Sequence, residues 1–164
     1  MNKIDRLILD MIEFDEREPK LIQHFMKVHE FARLMGNMEK LEGKELETLE
    51  AAAVVHDIGI IICKQKYSRW NGKLQEEEGP PYAMDLLNKI GFDKELVERV
   101  GYLVAHHHTY SHIDGMDYQI LVEADFLVNL YEDQCSEEVI QSAYNNIFVT
   151  QAGRKICRQM FGVE

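Results

Sequence analysis

No stretch of this chain alternates apolar and polar residues strictly, while nearly every segment repeats its apolar residues at helical spacing. That contrast argues against a sheet-based fold and predicts an all-α protein, a single-domain bundle of about seven helices around one core. Helices are expected over residues 4–14, 18–34, 44–59, 82–90, 93–107, 116–131 and 136–148, with a short one over 150–160. Pro19 suits the first position of its helix, Gly36 is expected to stop it, and Gly59 to cap the next. Leu49, Ala51, Ala52, Ala53, Val54 and Val55 make the second half of that next helix apolar nearly all round, which places it mid-bundle. Residues 60–78 are less periodic and read as a long connection, with a turn at Asn71-Gly72 and an end at Gly79-Pro80-Pro81.

The chain has 164 residues, a length suited to one domain covering 1–164. No run reaches the roughly 18–20 consecutive apolar residues of a membrane span. Asp5, Arg6, Asp10 and Glu13 interrupt the N-terminal apolar residues, which no signal peptide would do. Cys63, Cys135 and Cys157 lack metal-finger spacing and read as reduced thiols, giving the expectation of a cytoplasmic protein. A net charge of −11 disfavours duplex nucleic acid as a partner. A small phosphorylated substrate stays compatible with it, because a metal and a few lysines can reverse the sign inside one pocket.

Four ionisable residues fall on apolar helix stripes. His24 shares a face with Val28, Phe31 and Met35, and His56 with Leu49, Ala52 and Ala53; Asp57 follows at the helix end. Asp125 lies among Leu121, Val122 and Val128. A buried carboxylate must be paired, strongly hydrogen-bonded or metal-bound, and these stripes offer no lysine or arginine. One divalent cation would serve both carboxylates. Two imidazoles and two carboxylates suit Mn, Fe, Co, Ni or Zn and, in an octahedron, leave two positions for water or substrate oxygens.

The segments His24-Phe-Met-Lys-Val28-His-Glu-Phe-Ala32, Ala53-Val-Val-His56-Asp57-Ile-Gly59 and Glu123-Ala-Asp125 resemble the His, His-Asp, Asp signature of the HD-domain superfamily. The resemblance runs over about residues 20–131 and is to its small, single-domain bacterial members. It implies an HD-domain-like helical fold, a metal held by His24, His56, Asp57 and Asp125, and a phosphohydrolase that cleaves a small phosphomonoester or nucleotide with metal-activated water. Asp57, His107 and His108 are then the candidate catalytic residues. His29, about 140° round the helix from His24, is expected on the surface.

Superfamily members with two metals carry histidines where His106, His107 and His108 stand, plus one more that would fall near Gln75 to Glu78, where this chain has none. One tight metal is therefore expected, with His107 and His108 meeting substrate phosphate or a weaker second ion, or simply ending a helix near its negative pole. On the preceding helix Val100, Leu103 and Val104 share a face with His107, so His107 should point inward. Lys64, Lys66, Arg69 and Lys73, around Tyr67 and Trp70, are candidate phosphate-binding residues, as is Lys27. Two further functions stay open: a two-iron oxygenase of the same fold, and a non-catalytic, metal-stabilised module that binds a nucleotide or a partner. The sequence leaves oligomeric state open.

Overall fold

The computed structural model describes all residues, 1–164, and is entirely helical: α1 (Lys3–Phe14), α2 (Pro19–Met38), α3 (Gly43–Val55), α4 (Gly59–Tyr67), α5 (Gly72–Ile90), α6 (Lys94–Val104), α7 (Met116–Glu132), α8 (Glu137–Asn146) and α9 (Gln151–Phe161). No helix is long and apolar enough to cross a membrane. Helix α3 packs against α1, α2, α6 and α7, and Ala51 through Val55 are all fully buried, as its apolar second half requires. Helix α2 lies along both α3 and α7. The first turns of α2, the end of α3 and the middle of α7, which bear His24, His56 and Asp125, are thus brought to one place.

Nine helices replace the expected seven or so, and the difference lies mainly in residues 59–90. The expected long connection is α4 plus the first half of α5, joined by only four residues. Asn71 caps α5 through Oδ1, which accepts from the Leu74 N–H at 3.0 Å. Pro80 and Pro81 sit inside α5 and do not end it. Each proline takes the helical partner from one carbonyl, Glu76 and Glu77; Pro81 and Glu77 are exposed and Pro80 and Glu76 half-buried, so water can serve them.

Two glycines expected to stop helices do something else. Helix α2 runs past Gly36 to Met38; a Cβ at Gly36 would lie 2.7 Å from Leu46 Cδ1 and 3.0 Å from Leu49 Cδ2, so the missing side chain lets α3 approach. Gly59 opens α4 where a cap for α3 was expected. Its Cβ would lie 2.9 Å from the Gln75 carbonyl oxygen, so α4 and α5 nearly touch there. The α6 helix ends at Val104, before the three histidines, which follow in a tight turn. Tyr118 of α7 fastens that turn by donating its hydroxyl proton towards the His106 and Thr109 carbonyls.

Candidate metal centre

His24, on the buried face of α2, is 6% exposed; His56, at the end of α3, is fully buried; Asp125, in mid-α7, is 3% exposed. Their ring and carboxylate atoms converge. His24 Nε2 is 3.2 Å from His56 Nε2, 3.1 Å from Asp125 Oδ1 and 3.2 Å from Asp57 Oδ2. His56 Nε2 is 3.3 Å from the same Asp57 oxygen and 3.5 Å from Asp125 Oδ1. The sequence thus singled out four residues that the fold does bring together.

The other ring nitrogens determine what these Nε2 atoms can do. His56 Nδ1 donates to the Ala53 carbonyl at 2.8 Å, and His107 Nδ1 to the Val104 carbonyl at 2.8 Å. His24 Nδ1 donates to Glu132 Oε1 at 3.1 Å. With Nδ1 protonated, a neutral imidazole presents only a lone pair at Nε2. Two lone pairs and two carboxylate oxygens facing one another at 3.1–3.5 Å repel unless a positive charge lies among them. Protons are one source of that charge. Burial opposes the His24 imidazolium, but its bonds to Asp125 and Asp57 outweigh this and raise its pKa to about 10. His56 is likewise raised against its burial by Asp57 and Asp125. Burial works against the Asp57 and Asp125 carboxylates, yet the histidines hold both below the usual range.

A divalent metal is the other source, and the residues fit one. Donors about 2.1 Å from a common ion are about 3.0 Å apart along the edge of an octahedron and about 3.4 Å along that of a tetrahedron; the observed separations fall across this range. The Nδ1 bonds to carbonyl and carboxylate are the outer contacts that orient metal-bound histidines. The chain also has a buried polar atom that makes no hydrogen bond and belongs to this cluster, His107 Nε2. It is 3.3 Å from Asp57 Oδ1 but out of line for a hydrogen bond. His107, Asp57 and His108 form a second group whose ligand atoms lie within 4.8 Å of one another, as do those of His24, His56 and Asp57. Asp57 therefore faces both groups, through Oδ2 and Oδ1.

His107 is 1% exposed and inward, as its helix face predicts. His106 turns away and stacks on Tyr102 at 4.1 Å between centroids. Burial, then the neighbouring His107, depresses His108 to about 4. His108 Nε2 meets Gln75 Oε1 at 3.0 Å, and its ring lies against Gly72, where a Cβ would be 2.9 Å from Cγ. That contact sets Gly72, at the start of α5, beside the second group. Of the cations expected to bind phosphate, Lys27 is 3.1 Å from Glu132, Lys64 is 3.2 Å from Glu18 with its ammonium over Trp70, and Lys66 is 2.6 Å from Glu78. Arg69 and Lys73 are exposed and form no ion pair. His29 does not join the site, but neither is it a surface residue: it is 8% exposed and 3.0 Å from Glu50 Oε1 of α3. Helix α3 covers the face of α2 that helical angle alone had turned to solvent.

Sequence reasoning passed over Glu132, Asn129, Gln75 and Asp15. Asn129 donates to Asp125 Oδ1 at 2.9 Å. A signal for two of these was present: Asn129 and Glu132 follow Asp125 by four and seven residues, on one face of α7. Asp15, just after α1, is 4% exposed and its Oδ1 has no partner. Burial first, then the charge of Asp57, raises its carboxyl to about 7. Nothing in the run Asp15-Glu-Arg-Glu18 sets it apart from a solvated turn.

The comparisons with known proteins agree with this geometry. The crystal structure of a predicted HD superfamily hydrolase from an uncultured Thermotogales bacterium superposes with a TM-score of 0.67 at 25% identity, covering 97% of this chain and 83% of that one. No curated protein matches the chain. The HD domain family profile matches residues 21–143, a span that contains all four converging residues, and the chain belongs to the HD-domain family.

Proposed function

We propose that this protein is a metal-dependent phosphohydrolase acting on a small phosphomonoester or nucleotide. The observation that carries the reading is the pairing of a four-residue metal group with an adjacent, buried and unpartnered His107 Nε2, both reached by Asp57. His24, His56, Asp57 and Asp125 would hold one divalent transition metal (Mn, Fe, Co, Ni or Zn). When bound it supplies a Lewis acid that polarises a phosphoryl oxygen and lowers the pKa of water. His107, its ring oriented by the Nδ1 bond to the Val104 carbonyl, would turn its unpartnered Nε2 toward a second phosphoryl oxygen. Arg69 and Lys73, exposed, free of ion pairs and close in sequence to the Gly72 that touches His108, would neutralise charge that develops on the phosphate. Lys27, Lys64 and Lys66 are held by carboxylates and contribute less. A cytoplasmic setting fits the three unpaired cysteines.

A second reading, the two-iron oxygenase, is favoured by one observation: Asp57, His107 and His108 form a second candidate group next to the first. The lack of a histidine at 75–78 counts against it.

The test is phosphate release from p-nitrophenyl phosphate, sugar phosphates and nucleotides by protein loaded in turn with each metal, compared with Asp125→Ala and Asp57→Ala. Turnover lost in variants that keep their helical circular dichroism is expected. No release across the panel, with tight nucleotide binding in its place, would favour the non-catalytic module.

A further inference from the structure

We propose that Tyr110, backed by Phe126, is the platform for a nucleobase, so that the substrate of this site is a nucleoside monophosphate and not a sugar phosphate. The inference rests on the proposed binding of a phosphoryl group at the metal centre, and concerns the part of the substrate that is not phosphate.

Helix α7 shows where the centre opens. Between Asp117 and Leu130 all of its residues are buried except Gln119, Phe126 and Asn129. Gln119 lies near the start of the helix, bonded to Glu123 and to the Ile147 carbonyl. Phe126 and Asn129 are half-buried and flank Asp125. Asn129 donates to Asp125 Oδ1 at 2.9 Å, and Phe126 leaves the helix one position on, about 100° round. Of the four converging residues Asp57 is the one water reaches most, its side chain 17% exposed against 8% for His24, 4% for Asp125 and 0% for His56.

Tyr110 stands at this opening. It follows His108 by two residues, and its ring meets Phe126 edge to face at 5.1 Å between centroids. It thus bridges the second group and the neighbour of Asp125. The residue before it is tied down: the Thr109 hydroxyl donates to Glu76 Oε1 at 2.9 Å, and the Thr109 carbonyl accepts from Tyr118. Burial, then the charges of Asp125, Glu76 and Asp57, push the Tyr110 hydroxyl up to about 12. Carboxylates of both groups therefore act on it, and the ring stays uncharged beside a phosphate.

The side chain is nonetheless 44% exposed, and its hydroxyl makes no hydrogen bond, unlike those of Tyr67, Tyr118 and Tyr144. Other exposed aromatic residues nearby are already engaged. Trp70 carries the Lys64 ammonium over its ring, Tyr67 donates to Glu78 at 2.7 Å, and Tyr102 stacks on His106. A half-open ring beside a buried charged centre gains most from a flat partner, which removes apolar surface from water. Every base has such a π-face, whereas a sugar has none. The same carboxylates would repel a further phosphate at Tyr110, which selects an uncharged group there.

The experiment uses methylphosphonate and the analogues of ribose 5-phosphate and AMP in which CH2 replaces the bridging ester oxygen, none of which can be hydrolysed. Binding to Zn(II)-loaded wild type, Tyr110→Ala and Tyr110→Phe is measured by calorimetry, with circular dichroism as the check on folding. Stacking on a half-open ring predicts that the wild type binds the AMP analogue about tenfold tighter than the ribose analogue. Tyr110→Ala should lose about tenfold for the AMP analogue and less than about twofold for the other two. Tyr110→Phe keeps the ring and should stay within about threefold of the wild type for all three. Equal wild-type affinity for the AMP and ribose analogues would overturn the inference and leave the phosphohydrolase reading standing, as would an equal loss of both in Tyr110→Ala. If none of the three bound the metal-loaded wild type, the phosphate site would fall and the inference with it.

Discussion

Glu132 offers the sharpest test of how the metal centre is held, because among the contacts that orient His24, His56 and His107 through Nδ1 it is the one made by a side chain. His56 and His107 lean on backbone carbonyls, which no substitution removes, whereas His24 Nδ1 leans on Glu132 Oε1 at 3.1 Å. Glu132→Ala deletes that acceptor and leaves the His24 ring free to change tautomer and tilt. A hydrogen bond to a charged group contributes about 1.5–3 kcal/mol. The Glu132 side chain is 27% exposed, so water shares the bond and the lower half of that range applies. A loss of about 1.5–2 kcal/mol is roughly a 10- to 30-fold fall in metal affinity. Glu132→Gln keeps an oxygen acceptor and should lose about threefold. Helix stability should not suffer, because a carboxylate in the last turn of α7 opposes the helix dipole. Lys27 shares the same carboxylate at 3.1 Å, but its side chain is 41% exposed and the pair is screened by water, so Lys27→Met should change affinity by less than about twofold. The assay is Zn(II) competition against a chromophoric chelator, with circular dichroism as the check on folding. A Glu132→Ala protein that binds within about twofold of the wild type would refute the reasoning.

Two further outcomes bear on groups around the site. The Asp15 carboxyl is raised to about 7 by burial and by Asp57, above its ordinary 3.8, so the fold favours its neutral form and disfavours the anion. The metal-free protein should therefore lose stability as pH climbs from about 4 to about 7, with the full penalty above that. Asp15→Asn, which cannot ionise, should be more stable than the wild type by up to about 4 kcal/mol at pH 8 and nearly equal to it at pH 4; urea titrations giving the same difference at both pH values would dismiss the account. At the junction of α7 with α9, a Cβ at Gly153 would overlap Glu123 Oε2. That fully buried carboxylate accepts from Gln119 Nε2, from the Val149 and Thr150 N–H groups and from the Thr150 hydroxyl. Gly153→Ala should destabilise by about 3–5 kcal/mol in chemical denaturation, and a cost below about 1 kcal/mol would mean that the network shifts without breaking.

The sequence by itself determined the helical class, the mid-bundle place of α3, the inward turn of His107 and the four converging residues. Each of these follows from position along a helix: a period of 3.6 residues sorts side chains onto faces, and a histidine or aspartate on an apolar face needs a partner wherever the helix is placed. What lies beyond a single helix was not legible. His24 meets Glu132 across 108 positions, and His108 meets Gln75 across 33, so no local pattern encodes either pairing.

Glycine shows the same division. In sequence Gly36 and Gly59 read as helix stops, because a glycine's effect on its own chain is all that local reasoning can see. In the structure they are places where a neighbouring helix comes too close for a Cβ. His29 is buried for a related reason: α3 covers a face of α2 that the apolar stripe had left to water. Helical periodicity determines which way a side chain points from its own axis. Only the packing of α3, α5 and α7 decides what it meets there, and at this centre that decides which ring nitrogens are protonated and which are left for a metal.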